Sequence, residues 1–280
     1  MANLEPLIQS IPVAPLKLAS LEGCRTLADQ VNNYLVSFRH ESPTNVGQAD
    51  SLQGYCADSY LLECECPRFG SGEGKGVLKE SVRGCGLFIM VDVTNYSLTY
   101  RVNGYENHMS PDNHYQDLKR IISAADGKAR RINVIMPFLY EGRQHKRSKR
   151  ESLDCALMLQ ELVDMGVSNI LTFDAHDPRV SNSIPLHGFD SFMPTYQFLK
   201  ALVNSVPDFV IDNDHLMIIS PDEGAMGRAV YFSNILGVDM GMFYKRRDYS
   251  TVVNGKNPIV AHEFLGDDVK GKDVIIIDDM

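Results

Sequence analysis

Five cations stand within eight residues, at Arg143, Lys146, Arg147, Lys149 and Arg150, in a chain whose formal net charge is −9. Such a run is most often a solvated face. Here it follows the apolar stretch 132–136, which reads as a buried strand. A concentrated basic site at a strand end in an acidic protein suits a polyphosphate. Arginine brings a planar fork that matches phosphate oxygens, and lysine a compact point charge. Other chemistry-bearing residues recur in the same kind of place. His176 follows the strand-like run 169–173, and Asp222 follows His215 to Ser220. Lys245 and Arg247 follow Val238 to Tyr244, and Asp278 and Asp279 follow Asp273 to Ile277. Taken singly, His176 reads as a structural histidine, Asp222 as a helix cap, Lys245 and Arg247 as surface charges, and the aspartate pair as a strand end. Taken together, they form a set suited to positioning and charge neutralisation. In an open parallel sheet, ligands bind beyond the carboxyl ends of the strands.

The elements that must position this set alternate along the chain. The proline-punctuated residues 1–19 read as an extended lead-in and a first short strand. Apolar residues at Leu27, Val31, Tyr34, Leu35 and Phe38 have helical spacing, predicting a helix over 26–38. Residues 41–53 read as polar loop. Tyr60 to Cys66 is strand-like, and Phe69 to Gly76 follows with four alternating glycines. That stretch reads either as a flexible loop able to approach a phosphate or as a hairpin connection. It carries no phosphate-loop signature of the Walker type. Gly86 to Val93 reads as a central strand, and 94–109 as an irregular insertion with three tyrosines. Ser110-Pro111-Asp112 is a helix start, with Leu118, Ile121, Ile122 and Ala125 as its buried stripe. Ser152 is expected to cap a helix running to Met165. Residues 177–193 read as a loop at a domain seam, Pro194 opens a helix to about Asn204, and another helix ends near Leu236-Gly237. Residues 248–260 read as a mobile loop. Two successive strand–helix–strand halves without a glycine fingerprint after the first strand predict α/β, but not a dinucleotide-binding fold.

At 280 residues and 44% hydrophobic content, the chain is long enough for about two domains. The acidic balance, with a pI near 5.4, argues against a general nucleic-acid surface. Six scattered cysteines include no Cys-x-x-Cys pair. Cys64 and Cys66 would face the same side of a strand. Without a second ligand pair, reduced thiols are favoured over zinc. The N-terminal residues do not read as a signal peptide, and no apolar run reaches membrane-spanning length. A cytoplasmic location is the expectation.

The ordered set of motifs resembles the ribose-phosphate diphosphokinases, also called phosphoribosyl pyrophosphate synthetases. The pieces are the Phe69 to Glu73 loop, "SVRG" at 81–84, "GRQ" at 142–144, "FDAH" at 173–176, "SPDEG" at 220–224, "YKRR" at 244–247 and "VKGKDVIIIDDM" at 269–280. The resemblance covers about Leu18 to Met280. It implies an α/β fold of two tandem type I phosphoribosyltransferase-like domains with mostly parallel sheets. The boundaries expected are 1–190 for the ATP side and 191–280 for the ribose 5-phosphate side. It implies transfer of the β,γ-diphosphoryl group of ATP to the 1-hydroxyl of ribose 5-phosphate, releasing AMP. Phe69, Ser71 and Glu73 would contact adenine from a neighbouring subunit, and Arg143 and Gln144 would hold ATP. His176 and Asp222 would help place Mg²⁺. Lys245 and Arg247 would sit on a catalytic loop, with Arg247 also near ribose 5-phosphate, and Asp278 and Asp279 would bind ribose hydroxyls. A dimer-based homo-oligomer, up to a hexamer, is implied, with no nucleic-acid or membrane partner.

The chain departs from the family in places. Ser71 stands where Asn is usual, and His145 where Asp is usual. Residues 94–109 look inserted, and 177–188 do not match. The family's ribose-phosphate loop would come after Met280, so a truncated, substrate-incomplete and poorly soluble chain is the expectation. A non-catalytic associated subunit and a phosphoribosyltransferase are the competing readings.

Overall fold

A computed structural model describes residues 14–41, 54–247 and 259–279. The chain divides into two compact units, Met1–Phe192 and Met193–Met280.

The first unit is built on β5 (Gly86–Met90), the middle of a six-stranded all-parallel sheet. Its neighbours are β1 (Leu16–Ser20) on one side and β8 (Arg131–Ile135) on the other. The sheet continues through β9 (Val167–Phe173) to the edge strand β10 (Gly188–Phe192), and beyond β1 to β2 (Leu61–Leu62). β5 is apolar throughout because both faces of the sheet are covered. Leu87 and Ile89 face a core shared with α2 (Pro111–Ala124) and α3 (Asp154–Asp164), through Leu118, Ile121, Met158 and Leu162. Phe88 and Met90 face the opposite core, against Ala28 and Val31 of α1 (Arg25–Glu41). Each fully buried aliphatic side chain here contributes about 1.5–3 kcal/mol.

The helix starts follow local chemistry. Ser110 Oγ accepts the Asn113 N–H at 3.3 Å, and Pro111 occupies the first turn of α2. Ser152 does not cap α3, as was expected. Its hydroxyl donates to Asp154 at 2.5 Å, and Leu153 holds the cap position without a side-chain bond.

Three expectations are corrected. The run Tyr60 to Cys66 breaks into β2, parallel to β1, and β3 (Cys64–Glu65), which pairs antiparallel with β4 (Val77–Leu78). The segment 94–109 is not irregular: within it β6 (Thr99–Val102) and β7 (Tyr105–His108) form a hairpin. Its turn residues Asn103 and Gly104 both take positive φ, 50° and 85°, the geometry favoured in two-residue hairpin turns. The segment 177–193 is not only loop, for it contains a short 3-10 helix, Pro178–Ser183, and the strand β10.

The second unit holds a four-stranded sheet, ordered β13 (Ile259–Leu265), β12 (Met240–Arg247), β11 (Leu216–Ser220) and β14 (Asp273–Ile276). β11 is parallel to both β12 and β14, and only β13 runs antiparallel. β11 is buried along its whole length. The helices of this unit are α4 (Thr195–Ser205) and α5 (Met226–Leu236). They supply Leu199, Ala229 and Phe232 to a core with Leu216 and Ile218. Gly237, at φ 69°, stops α5 in the left-handed conformation that ends many helices. The predicted loop at 248–260 lies outside the described residues from 248 to 258.

Candidate functional site

In the first unit, chemistry collects where β8 and β9 end. Both strands run the same way and are adjacent, so their trailing loops emerge at one edge. The loop after β8 carries Arg143, Gln144 and His145. The turn after β9 carries Asp174, His176 and Asp177. The His145 and His176 rings lie 5.2 Å apart, tilted by 57°. His145 Nε2 is 3.5 Å from Asp177 Oδ2, with both side chains only about a tenth exposed (12% and 11%). Asp177 also accepts the Arg179 backbone N–H at 3.0 Å and its guanidinium at 2.5–3.1 Å. The Arg179 guanidinium holds the Asp177 carboxyl well below the usual carboxylate range.

Gln144 is built into the loop rather than aimed freely at solvent. Its Nε2 donates to the Ser152 carbonyl at 2.7 Å, and its N–H donates to the Glu141 carbonyl at 2.9 Å. Glu141 sits at φ 55° to make that turn. Arg143 and His176 are exposed. Lys146, Arg147, Lys149 and Arg150 are also exposed and make no ion pair among the described residues. No described carboxylate pairs with these four cations, as a polyphosphate site requires and as a solvated face also permits.

The Phe69 segment is a tight turn at the end of the β3–β4 hairpin. Phe69 is 52% exposed. Ser71 Oγ donates to Glu73 Oε2 at 2.8 Å. Of the two readings its glycines allowed, the hairpin connection is the one found, closed by backbone bonds from Phe69 N–H to Glu73 O (2.7 Å) and from Gly72 N–H to Phe69 O (2.8 Å).

In the second unit, the parallel register of β11 and β14 aligns Ile219 with Ile276. Asp222, two residues past β11, and Asp278, two residues past β14, thus leave the sheet at the same edge. Asp222 Oδ1 accepts the N–H groups of Gly224 (2.9 Å) and Ala225 (3.2 Å) and so closes the turn that leads into α5, whose cap position is held by Ala225 without a side-chain bond. Asp278 Oδ1 accepts the Asp279 N–H at 2.8 Å. β12 passes the same edge and carries Lys245 and Arg247, but their side chains lie outside the described residues. Among the described residues, no cluster of three or more histidine, cysteine or acidic side chains forms a metal cage.

His145, Asp177 and Arg179 are the partners that motif reading did not assemble. The sequence did carry one signal, Asp177-Pro178, a helix-start pair. The contact between two separate loops had none. The Cys64 and Cys66 thiols are spent locally, on the carbonyls of Ser20 (3.2 Å) and Asp117 (3.7 Å). Burial pushes Cys64 up to about 11 and Cys66 up to about 12, which keeps both as neutral thiols.

Open, mostly parallel sheets with cations and carboxylates at their carboxyl ends define an α/β protein of the phosphoribosyltransferase-like kind. Residues 16–166, more than half of the chain, match the family described as the N-terminal domain of ribose phosphate pyrophosphokinase, and the chain belongs to that family. It is 28% identical over 224 residues to a ribose-phosphate pyrophosphokinase of Staphylococcus epidermidis, covering 79% of this chain and 61% of the relative. It is 29% identical over 215 residues to the corresponding protein of Corynebacterium efficiens, covering 76% and 58%. The chain thus spans about three fifths of the length of the curated relatives it matches. A crystal structure of phosphoribosylpyrophosphate synthetase from Mycobacterium smegmatis shares the fold, with a TM-score of 0.70 at 22% identity, covering 95% of this chain and 71% of that one.

Proposed function

We propose that the chain is the nucleotide- and sugar-binding part of a ribose-phosphate diphosphokinase, which moves the diphosphoryl group of ATP to the 1-hydroxyl of ribose 5-phosphate. The observation that carries this reading is that Arg143, Gln144 and His176 lie at the carboxyl edge of the first sheet, and that Asp222 and Asp278 lie at the carboxyl edge of the second. The first unit is the ATP side and the second the ribose 5-phosphate side. Arg143 and the exposed cations of 146–150 neutralise phosphate oxygens. Asp278 and Asp279 accept hydrogen bonds from vicinal ribose hydroxyls. Lys245 and Arg247 stabilise charge on the group in flight, which is the larger part of catalysis in phosphoryl transfer.

The donor set fits Mg²⁺. This ion keeps waters and takes one or two carboxylates plus substrate phosphates, so it needs no dedicated cage. Asp222 would hold it, with His176 acting through water or phosphate. When bound, the ion would offset the negative charge of the phosphate groups. Phe69, Ser71 and Glu73 would serve the adenine site of a neighbouring copy in a homo-oligomer. The half-exposed Phe69 ring supports that placement. Among the described residues no helix is long and apolar enough to cross a membrane, and a cytoplasmic setting completes the reading.

The test is phosphorus NMR of the gene product, with whatever follows Met280, supplied with ATP, Mg²⁺ and ribose 5-phosphate. AMP and a new 1-diphosphate signal are expected. ATP binding without turnover would overturn the catalytic reading in favour of an associated subunit. On the active protein, Lys245→Ala should lower kcat by about 10²–10³, the scale for losing one transition-state charge contact.

A further inference from the structure

The hairpin β6–β7 lies against the turn that carries Phe69. The root of that turn is Arg68, whose guanidinium grips Asp117 of α2 with two bonds, at 2.5 and 2.8 Å. Asp117 also takes Arg120, at 2.6 Å. The Arg68 and Asp117 side chains are only 10% and 6% exposed. The Tyr100 ring of β6 covers the guanidinium at 5.3 Å. Beside it, Val102 of β6 packs on the turn so closely that a Cβ at Gly72 would come within 2.9 Å of it. A Cβ at Gly74 would strike the Arg68 guanidinium, and one at Gly76 the Arg120 backbone. Gly72, Gly74 and Gly76 thus serve close packing of the turn against β6 and α2, while Gly70 faces open space.

The hairpin does little for the core. None of its residues belongs to the core clusters of the first unit among the described residues. Tyr100 instead borders a cleft of about 470 Å³, which Arg25, Glu65 and His114 also line. A two-stranded hairpin is marginal alone in water, so its order comes from docking on Arg68 and the turn.

We propose that β6–β7 is a positioning element for nucleotide recognition, with Tyr100, Val102 and Arg68 as the positioning residues that fix the Phe69 turn for contact with a purine base. This rests on the reading that the turn meets the base of ATP. The chain contains no tryptophan, so Phe69→Trp gives a single indole, excited selectively over the tyrosines, at the first position of the turn. Time-resolved anisotropy is read in that background with Tyr100→Ala and Tyr100→Phe. ATP affinity is measured by calorimetry with Phe69 native, alongside Phe69→Ala as the control for the base contact.

The expected result is a faster, larger-amplitude motion of the introduced indole and about tenfold weaker ATP binding in Tyr100→Ala. Tyr100→Phe should restore both, because it keeps the ring over Arg68, and the far-ultraviolet circular dichroism should not change. Val102→Ala provides the same comparison where Tyr100→Ala does not fold. Unchanged anisotropy would overturn the bracing role. A loosened turn with normal ATP affinity, while Phe69→Ala binds weakly, would overturn the link from bracing to recognition. Normal affinity in Phe69→Ala would overturn the base contact itself, and the proposal with it.

Discussion

Asp222→Asn separates the hydrogen-bonding role of one carboxylate from the metal-placing role proposed for it. Oδ1 accepts the N–H groups of Gly224 and Ala225 and so holds the entry to α5. An amide oxygen in that place accepts the same two bonds, and asparagine forms such side-chain turns as readily as aspartate. The Asn variant should therefore unfold within about 0.5 kcal/mol of the parent in urea. Asp222→Ala orphans both donors and should lose about 1–2 kcal/mol. The charge is a different matter. A carboxylate about 4 Å from a divalent cation in a water-like dielectric is worth about 2 kcal/mol, or roughly 30-fold in an equilibrium constant. The half-saturating Mg²⁺ concentration for diphosphoryl transfer should rise by that factor in both variants. Two results would refute the reasoning. If Asn destabilises as much as Ala, charge rather than hydrogen bonding holds the turn. If the Mg²⁺ curve of Asp222→Asn does not move, the carboxylate has no part in placing the ion.

Other consequences can be checked with simpler assays. Burial pushes Cys24, Cys66 and Cys155 up to about 12 and Cys64 to about 11, from an ordinary 9.0. At pH 8 a disulfide reagent should find one fast thiol, the exposed Cys56, and fast reaction of the buried thiols as well would contradict the packing. The same shifts set an alkaline limit. The folded chain keeps protons that the unfolded chain releases, so stability is full below about pH 9 and falls as pH rises towards 11–12. A urea midpoint that holds constant to pH 11 would count against this. Leu87→Ala, in the middle of β5 with no exposure, should cost about 2–5 kcal/mol, and a loss under about 1 kcal/mol would mean that the core closes around the gap. Gly104→Val puts a β-branched residue at φ 85° in the hairpin turn. It should leave global unfolding nearly unchanged but disorder β6–β7, seen as rapid amide exchange at Tyr105 and Asn107.

What the chain revealed in linear form was what repeats at short range. β5 and β8 stood out because strands covered on both faces are apolar without interruption. α2 announced itself through Ser110 and Pro111. β10 did not stand out, because an edge strand reading Gly-Phe-Asp-Ser-Phe carries too few apolar residues to separate it from a loop. The hairpin β6–β7 was missed although Asn103-Gly104 marked it, since its flanking strands are polar and only half-buried. The exchange of sheets between Leu62 and Cys64 is tertiary and leaves no periodic trace. Arg143, His176, Asp222 and Asp278 were readable because each follows an apolar strand. The pairing of His145 with Asp177, and the grip of Arg68 on Asp117, join residues 32 and 49 positions apart, and no local pattern encodes such contacts.

The two cores of the first unit make β5 behave like a reading frame. Leu87 and Ile89 belong to one, Phe88 and Met90 to the other. An insertion or deletion of one residue within the strand would send every following side chain to the wrong core. Val91 and Val93 carry the alternation on into the first core, and the hairpin β6–β7 follows only beyond them, past the strand's trailing end. Length change is therefore tolerated mainly beyond the strand ends, the edge where β8 and β9 hand on to the loops of Arg143 and His176. New recognition elements can accumulate there while the sheet beneath them is inherited unaltered.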